Sequence, residues 1–486
     1  MDNNKQNTDT PDLNRRRFLT NAGAVTVGTA GLVASAGALA AAKADANDNR
    51  VARTPGVDYD VIVIGGGNAG AAAARNCREK GYRTLLLEAR NRLGGRTFTA
   101  DFEGDHVELG GFWIHHTQPF VWAEKERYDL DIVETPAAVP DVIALTIDGQ
   151  RQQLSEAQML EAVGGWQAFT DEGRVILPRN WDLLHNEPAA LAADRVSVSE
   201  KLSQADYLSE FQKQFISALV STMANNSPDA MSYLEMLRWH QCGGGYFPTF
   251  MDSVARFSLD KGTIELVNRM IEDGKPEVRL STPVKAVLDE GDKVVVQTLR
   301  GESIRAAAVI CCLPMNTIFN IDFQPPLPAG VVEAGKARHT GVGFKLYVKL
   351  KGDVGNMLSV ATSGPLDYVM TYKQAGDYTL MVGFGQDPAA LDVYDDEAVQ
   401  AAVRTLVPGA ELIATMSYDW NSDPYARGTF ASYRPGWVGK YYDVFQKDQG
   451  RVFFGSSDHG EGWRGFIDGA IGGGIKAAER VSALLA

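Results

Sequence analysis

Between Asp58 and Glu88 the chain sets out a strand, a glycine turn, a helix and a second strand that ends on a carboxylate, and this stretch constrains the fold more than any other. The run Val61–Ile64 is continuously apolar and bounded by turn residues, as expected of a strand buried on both faces of a parallel sheet. Gly65, Gly67 and Gly70 follow at G-x-G-x-x-G spacing, and the Ala-rich segment from Ala69 to Lys80 is a strong helix former. A second apolar run, Thr84 to Leu87, ends on Glu88, 18 residues past Gly70. A βαβ unit of this kind binds a dinucleotide. Its glycines allow a tight turn and close backbone approach, the diphosphate sits on the helix N-terminus, and the carboxylate accepts ribose hydroxyl protons. The fingerprint alone does not choose between NAD and FAD.

The next residues do. Glu88-Ala89-Arg90-Asn91-Arg92-Leu93-Gly94-Gly95-Arg96 resembles the E-x-x-x-x-x-GGR signature of FAD-dependent amine oxidases. Gly95 then lets backbone approach the cofactor, Arg92 and Arg96 bring positive charge to its diphosphate, and Arg90 belongs to the same cofactor-binding stretch. Five further segments resemble that family in the same order along the chain. Val107-Glu108-Leu109-Gly110-Gly111-Phe112-Trp113 is similar to the ELGG segment, which implies that Gly111, Phe112 and Trp113 lie along the flavin. The strand region after Pro283 resembles the family's return to the cofactor domain, with Val284 at the adenine end. Lys345, at the start of the alternating run Lys345–Leu350, matches a strand lysine that points at flavin N5 through a water. Trp420 to Phe430 resembles a W-x-x-DPY-x-x-G-x-Y element, and Gly462 to Ala470 opens the last helix. There Asp458 matches an acid near the flavin ribityl chain, and the helix N-terminus at Phe466–Ile467 is expected to favour the anionic reduced ring.

The resemblance implies an α/β fold of the monoamine oxidase type: a Rossmann-like (GR2-type) FAD-binding domain with an inserted α+β substrate-binding domain. The expected cofactor domain is discontinuous, over residues 55–116, 263–320 and 440–486, and the substrate domain takes 117–262 and 321–439. The first of these insertions reads as helical, with apolar residues at three- and four-residue spacing in Ser155–Val163 and Leu208–Met223. Cys242 to Phe247 interrupts it, either as a loop over the active site or as a plain connector.

Two departures from the family bear on chemistry. Thr429 stands where monoamine oxidases carry the cysteine linked to flavin, so the FAD is expected to be non-covalent. Phe430 and Phe466 replace two tyrosines, which implies an apolar aromatic cage around the substrate nitrogen. Only a neutral amine has the lone pair needed to release hydride to flavin N5, and desolvation in such a cage lowers the amine's pKa. Within the family the likeness is to the bacterial nicotine-catabolic branch. It implies a secondary alkylamine with an aromatic tail, pseudooxynicotine, oxidised to an imine that hydrolyses to aldehyde and methylamine. Nicotine or a primary monoamine are alternatives. An L-amino-acid oxidase would need an arginine for the substrate carboxylate, with Arg238, Arg256 and Arg434 as candidates. A carotenoid-type desaturase would not need the DPY element, and a non-enzymatic flavin-binding protein would not bleach with substrate. Trp113, Trp239 and Trp463 either line the cavity or belong to the core, and His115, His116 and His459 read as packing or as hydrogen-bonding support for neighbouring groups.

A net charge of −14 argues against nucleic acid or an anionic membrane surface as partner. The four cysteines, Cys77, Cys242, Cys311 and Cys312, show no metal-ligand spacing. Asn14-Arg15-Arg16-Arg17-Phe18-Leu19-Thr20 resembles a twin-arginine export signal, and the weakly apolar segment after it is too Gly-rich for a stable membrane anchor. Residues 1–44 are therefore expected to be an export signal that sends a folded, FAD-loaded protein to the periplasm. The electron acceptor is either O2 or a c-type cytochrome, and the family suggests a homodimer.

Overall fold

A computed structural model describes residues 55–486, so the expected export signal lies outside the described residues. The apolar run at the start of the fingerprint forms strand β1 (Tyr59–Ile64), followed by helix α1 (Asn68–Glu79) and strand β2 (Thr84–Leu87). Val61, Ile62 and Val63 are wholly buried because β1 lies in mid-sheet, parallel to β2 on one side and to the strand Ser303–Cys311 on the other. The chain leaves β1 toward one neighbour and returns much later as the other, which places a topological switch point at Gly65, where α/β proteins bind ligands.

The eight-stranded sheet built around β1 also takes in Glu277–Arg279, Val284–Asp289, Val294–Thr298, Asp322–Gln324 and Val452–Phe454. The strand Asp322–Gln324 lies two residues beyond the expected break at 320, because it pairs in parallel with Val284–Asp289 before the chain leaves the sheet. The last helix, Ile467–Leu485, packs on α1, where a Cβ on Gly474 would come within 2.1 Å of the Ala69 carbonyl oxygen. The small residues of both helices let them cross this closely.

A second, seven-stranded sheet is built from Phe344–Lys351, Met357–Ala361, Tyr368–Gln374, Tyr378–Gly385 and Leu412–Ser417, joined by the hairpin Val142–Ile147 and Gln150–Gln153. That hairpin corrects the helical reading of residues 117–262. Asp148 and Gly149 both adopt positive φ (49° and 75°), the geometry of a tight hairpin turn, and Asp-Gly between two β-rich runs is its sequence signal. Helices fill the rest of that insertion, among them Glu210–Ala224, Tyr233–Cys242 and Phe247–Ala255. The Gly243–Gly245 turn is a tight connector. A Cβ on Gly243 would come within 2.8 Å of Phe250 Cα, and residues 243–246 do not reach the cavity described below. Among the described residues no helix is long and apolar enough to cross a membrane.

Candidate active site

One continuous cavity of about 500 Å3 runs from the carboxyl ends of β1 and β2 to the face of the second sheet. Its first half is made of backbone. Gly65 (φ +102°) turns the chain out of β1, and α1 begins at Gly67, an N-cap that supplies no side chain to its first N–H groups. Those donors therefore face the cavity with the positive end of the helix dipole behind them. Gly67 and Gly70 serve different ends. A Cβ on Gly70 would lie 1.8 Å from the Gly65 carbonyl oxygen, so only glycine fits there, and Gly70 does not line the cavity. At Gly67 a Cβ would meet no protein atom nearer than 3.7 Å and would instead occupy the cavity. Asn68 Oδ1, buried beside it, has no hydrogen-bond partner among the described residues. An uncapped helix N-terminus, an open glycine face and an orphaned polar atom fit a dinucleotide diphosphate.

Glu88 lines the same end, 3% exposed, with Oε2 accepting from Gly66 N at 2.6 Å and Oε1 from Arg90 N at 2.8 Å. Its carboxylate is thus fixed in place with lone pairs free for ribose hydroxyls. Gly95 packs against Gly67, which docks the GGR turn onto the fingerprint loop, and Gly94 N donates to Gly66 O at 2.9 Å. Arg90 also lines the cavity, held by Asp423 of the DPY element at 2.7 Å. Val284 lies on the wall at this end.

Two charged residues do not act as the sequence suggested. Arg92 does not reach the cavity. Its guanidinium stacks 4.0 Å from the Phe98 ring and donates to the carbonyls of Leu93, Gly95 and Thr97, so it braces the GGR turn. Asp458 is wholly buried behind the wall, where its carboxylate accepts from Arg96, from Ser457 Oγ at 3.0 Å and from Met315 N at 2.9 Å. Burial alone would push that carboxyl up, but the Arg96 charge overrides it and holds it at about 2. Asp458 therefore orients Arg96, and Arg96 alone of the two reaches the cavity, with its other arm on Thr429 O at 2.9 Å.

The second half of the cavity is made of side chains. Lys345, 6% exposed, donates to the carbonyls of Glu108 and Gly110 (2.9 Å to the latter), and Trp420 Nε1 donates to Leu109 O at 2.8 Å. All three carbonyls of the Glu-Leu-Gly turn are thereby fixed, and Gly111, Phe112 and Trp113 are laid along the wall. Burial drives the Lys345 ammonium well below the usual lysine range, with Glu108 opposing. Phe430 and Phe466 both line the cavity, and Ile467 opens the last helix onto it. A third ring joins them: Trp239 lies 4.6 Å from the Phe466 centroid and 6.0 Å from that of Phe430. Beyond it the wall is apolar, with Leu219, Met223, Phe250, Met251 and Val254. Thr429 faces the cavity without a thiol, its hydroxyl donating to Asn225 Oδ1 at 2.7 Å.

The remaining candidates fall into place. Trp113 lines the cavity, whereas Trp463 is core, with its indole N–H on Thr117 O at 2.8 Å. The His115 and His116 rings lie 3.9 Å apart, tilted by 37°, and His459 stacks on Phe445, all off the cavity. Among the described residues the only arginines on the cavity wall are Arg90 and Arg96, both already paired with carboxylates. Arg238, Arg256 and Arg434 are committed to Glu235, Asp252 and the backbone of Arg338, so no cavity arginine is available for an amino-acid carboxylate.

Residues 69–482 match the family described as flavin containing amine oxidoreductase. The chain belongs to that family. It is 37% identical to a pseudooxynicotine dehydrogenase of Pseudomonas sp. over 100% of this chain and 99% of the relative. It is 36% identical to a nicotine dehydrogenase of Pseudomonas putida, over 97% and 98% of the two chains. Among solved structures, a putrescine oxidase double mutant superposes with a TM-score of 0.77 at 22% identity, over 87% of this chain and 99% of that one. Cyclohexylamine oxidase from Brevibacterium oxydans gives 0.76 at 20% identity, over 88% and 99%. The protein is a flavin-dependent amine oxidoreductase whose cofactor is FAD.

Proposed function

We propose that this amine oxidoreductase oxidises a secondary alkylamine carrying an aromatic tail, pseudooxynicotine, to an imine that water cleaves to an aldehyde and methylamine. The observation that carries the reading is the Phe430–Trp239–Phe466 enclosure, which opens on an apolar wall of Leu219, Met223, Phe250, Met251 and Val254. The 37% identity to a pseudooxynicotine dehydrogenase supports it.

FAD, when bound, supplies the hydride acceptor. The protein supplies the rest. The open N-terminus of α1, Glu88 and Arg96 hold the dinucleotide end. Lys345 fixes the Glu108–Gly110 turn, so the wall beside the reacting carbon is rigid. The three rings replace water around the amine, and removing water favours its neutral, reactive form. No side-chain acid or base is required for the transfer itself. Nicotine is the second reading, favoured by the nearly equal identity to a nicotine dehydrogenase. Steady-state turnover with product analysis separates the two. Release of one methylamine per pseudooxynicotine consumed supports the first reading, while conversion of nicotine without turnover of pseudooxynicotine replaces it with the second.

The export of the folded protein to the periplasm belongs to the same proposal, resting on the Arg15-Arg16-Arg17-Phe18 segment. Cell fractionation tests it: intact protein confined to the cytoplasm removes that part.

A further inference from the structure

Behind the aromatic walls lies a buried polar cluster that the chemistry above does not use. Glu235 and Arg238 sit on the helix that carries Trp239, and Arg464 sits two residues before Phe466. The side chain of Glu235 is 0% exposed and each arginine 1%. Glu235 Oε2 accepts from Arg238 Nη2 at 2.8 Å, and Oε1 accepts from Arg464. Arg238 also donates across to the backbone of the other element, to the carbonyl of Gly462 and to that of Arg464 at 3.3 Å. The Arg464 guanidinium lies 3.7 Å over the Tyr433 ring, three residues past Phe430. Burial alone would raise the Glu235 carboxyl, but the two arginines hold it at about 2, so the cluster stays charged.

A buried ion cluster is a weak source of net stability compared with apolar packing, and its best-attested use is to fix one geometry out of several. The geometry fixed here is that of Trp239 against Phe466, the two rings 4.6 Å apart and inclined at 69°. We propose that Glu235, Arg238 and Arg464 are positioning residues of the amine site: they lock the helix bearing Trp239 to the loop bearing Phe466, making Trp239 the third wall of the cage and setting its width. The inference rests on the reading of this cavity as an amine site. If the cluster merely filled the core, its removal would lower stability and leave amine binding unchanged.

A double-mutant cycle in the holoenzyme tests it, with Glu235→Gln and Trp239→Ala, reading pseudooxynicotine Kd and limiting rate from anaerobic flavin reduction. Glu235→Gln is expected to raise Kd about 10-fold in the wild-type background and less than about 2-fold when Trp239 is already alanine, because coupled residues are non-additive. The same fold-change in both backgrounds overturns the proposal, as does no change in either. Should Glu235→Gln lose its flavin, Arg464→Lys runs the same cycle, since it keeps the charge but loses the planar fork that bonds and stacks. Loss of flavin from both variants marks a cluster that only holds the fold and also overturns the proposal. Failure of every amine to reduce the wild-type flavin would instead overturn the functional reading.

Discussion

The two ends of the cavity are built by opposite means. The dinucleotide end is a backbone turn with the side chains of Glu88, Arg90 and Arg96 set around it, drawn largely from one stretch between Gly65 and Arg96, and it depends on where other side chains are absent. The amine end is side chain, assembled from Phe112, Trp239, Lys345, Phe430 and Phe466, which come from five separate stretches of the chain. A change at the first end decides whether the protein holds its cofactor. In the proposed function, a change at the second decides what the held cofactor meets.

The largest effects come from two glycines three residues apart. Gly67→Val should leave a folded protein without flavin, because its Cβ meets no protein atom closer than 3.7 Å and the side chain enters the cavity where the diphosphate is expected. Gly70→Val should fail to fold, because its Cβ meets a backbone carbonyl at 1.8 Å. Circular dichroism with flavin absorbance separates these outcomes, and a yellow Gly67→Val protein would break the assignment of the first end. Phe466→Ala should keep flavin and slow its reduction by amine about 100-fold, the scale on which misplacement of a reacting group acts. Normal reduction by that variant would remove the cage while leaving the fingerprint standing.

The contrast between the ends also governs what the sequence made readable. The βαβ unit is local, so spacing alone located Gly65, Gly67 and Glu88. Arg92 was misread because spacing does not say where a long side chain turns, and it turns back onto its own loop. The hairpin at residues 142–153 had its Asp148-Gly149 signal but lay among helical periodicities that outweighed it. Trp239 stood only as a tryptophan in the core or in the cavity, because its partnership with Phe466 joins residues 227 positions apart in the chain. The Glu235–Arg464 contact, across 229 positions, left no pattern in the sequence at all.

Changes away from the two glycines and the aromatic cage should have smaller effects. Asp423→Asn should weaken flavin binding about 10-fold, since it releases Arg90 from a charge-assisted bond at the dinucleotide end without touching the cage. Titrating apoprotein with FAD measures it, and an unchanged affinity would place Arg90 outside cofactor binding. His459, off the cavity, should affect stability alone. Burial pushes its pKa down from 6.5 to about 4, so the unfolded chain binds more protons between those values. Its contribution is present above pH 6.5 and lost as the pH falls toward 4, reaching about 2 kcal/mol of lost stability at pH 5. His459→Phe should flatten that slope in denaturant melts at pH 7.5 and 5 while amine turnover holds. An unaltered slope would show that His459 takes up a proton in the folded protein.

In the proposed function, the aromatic end of this cavity presents a neutral amine with an aromatic tail to FAD. Anaerobic rapid mixing with pseudooxynicotine, nicotine, a small primary monoamine and an L-amino acid, followed by flavin absorbance, tests it most directly. Fast bleaching by pseudooxynicotine, rising with pH as the free amine replaces its cation, is the result predicted. Bleaching by the L-amino acid alone would contradict it.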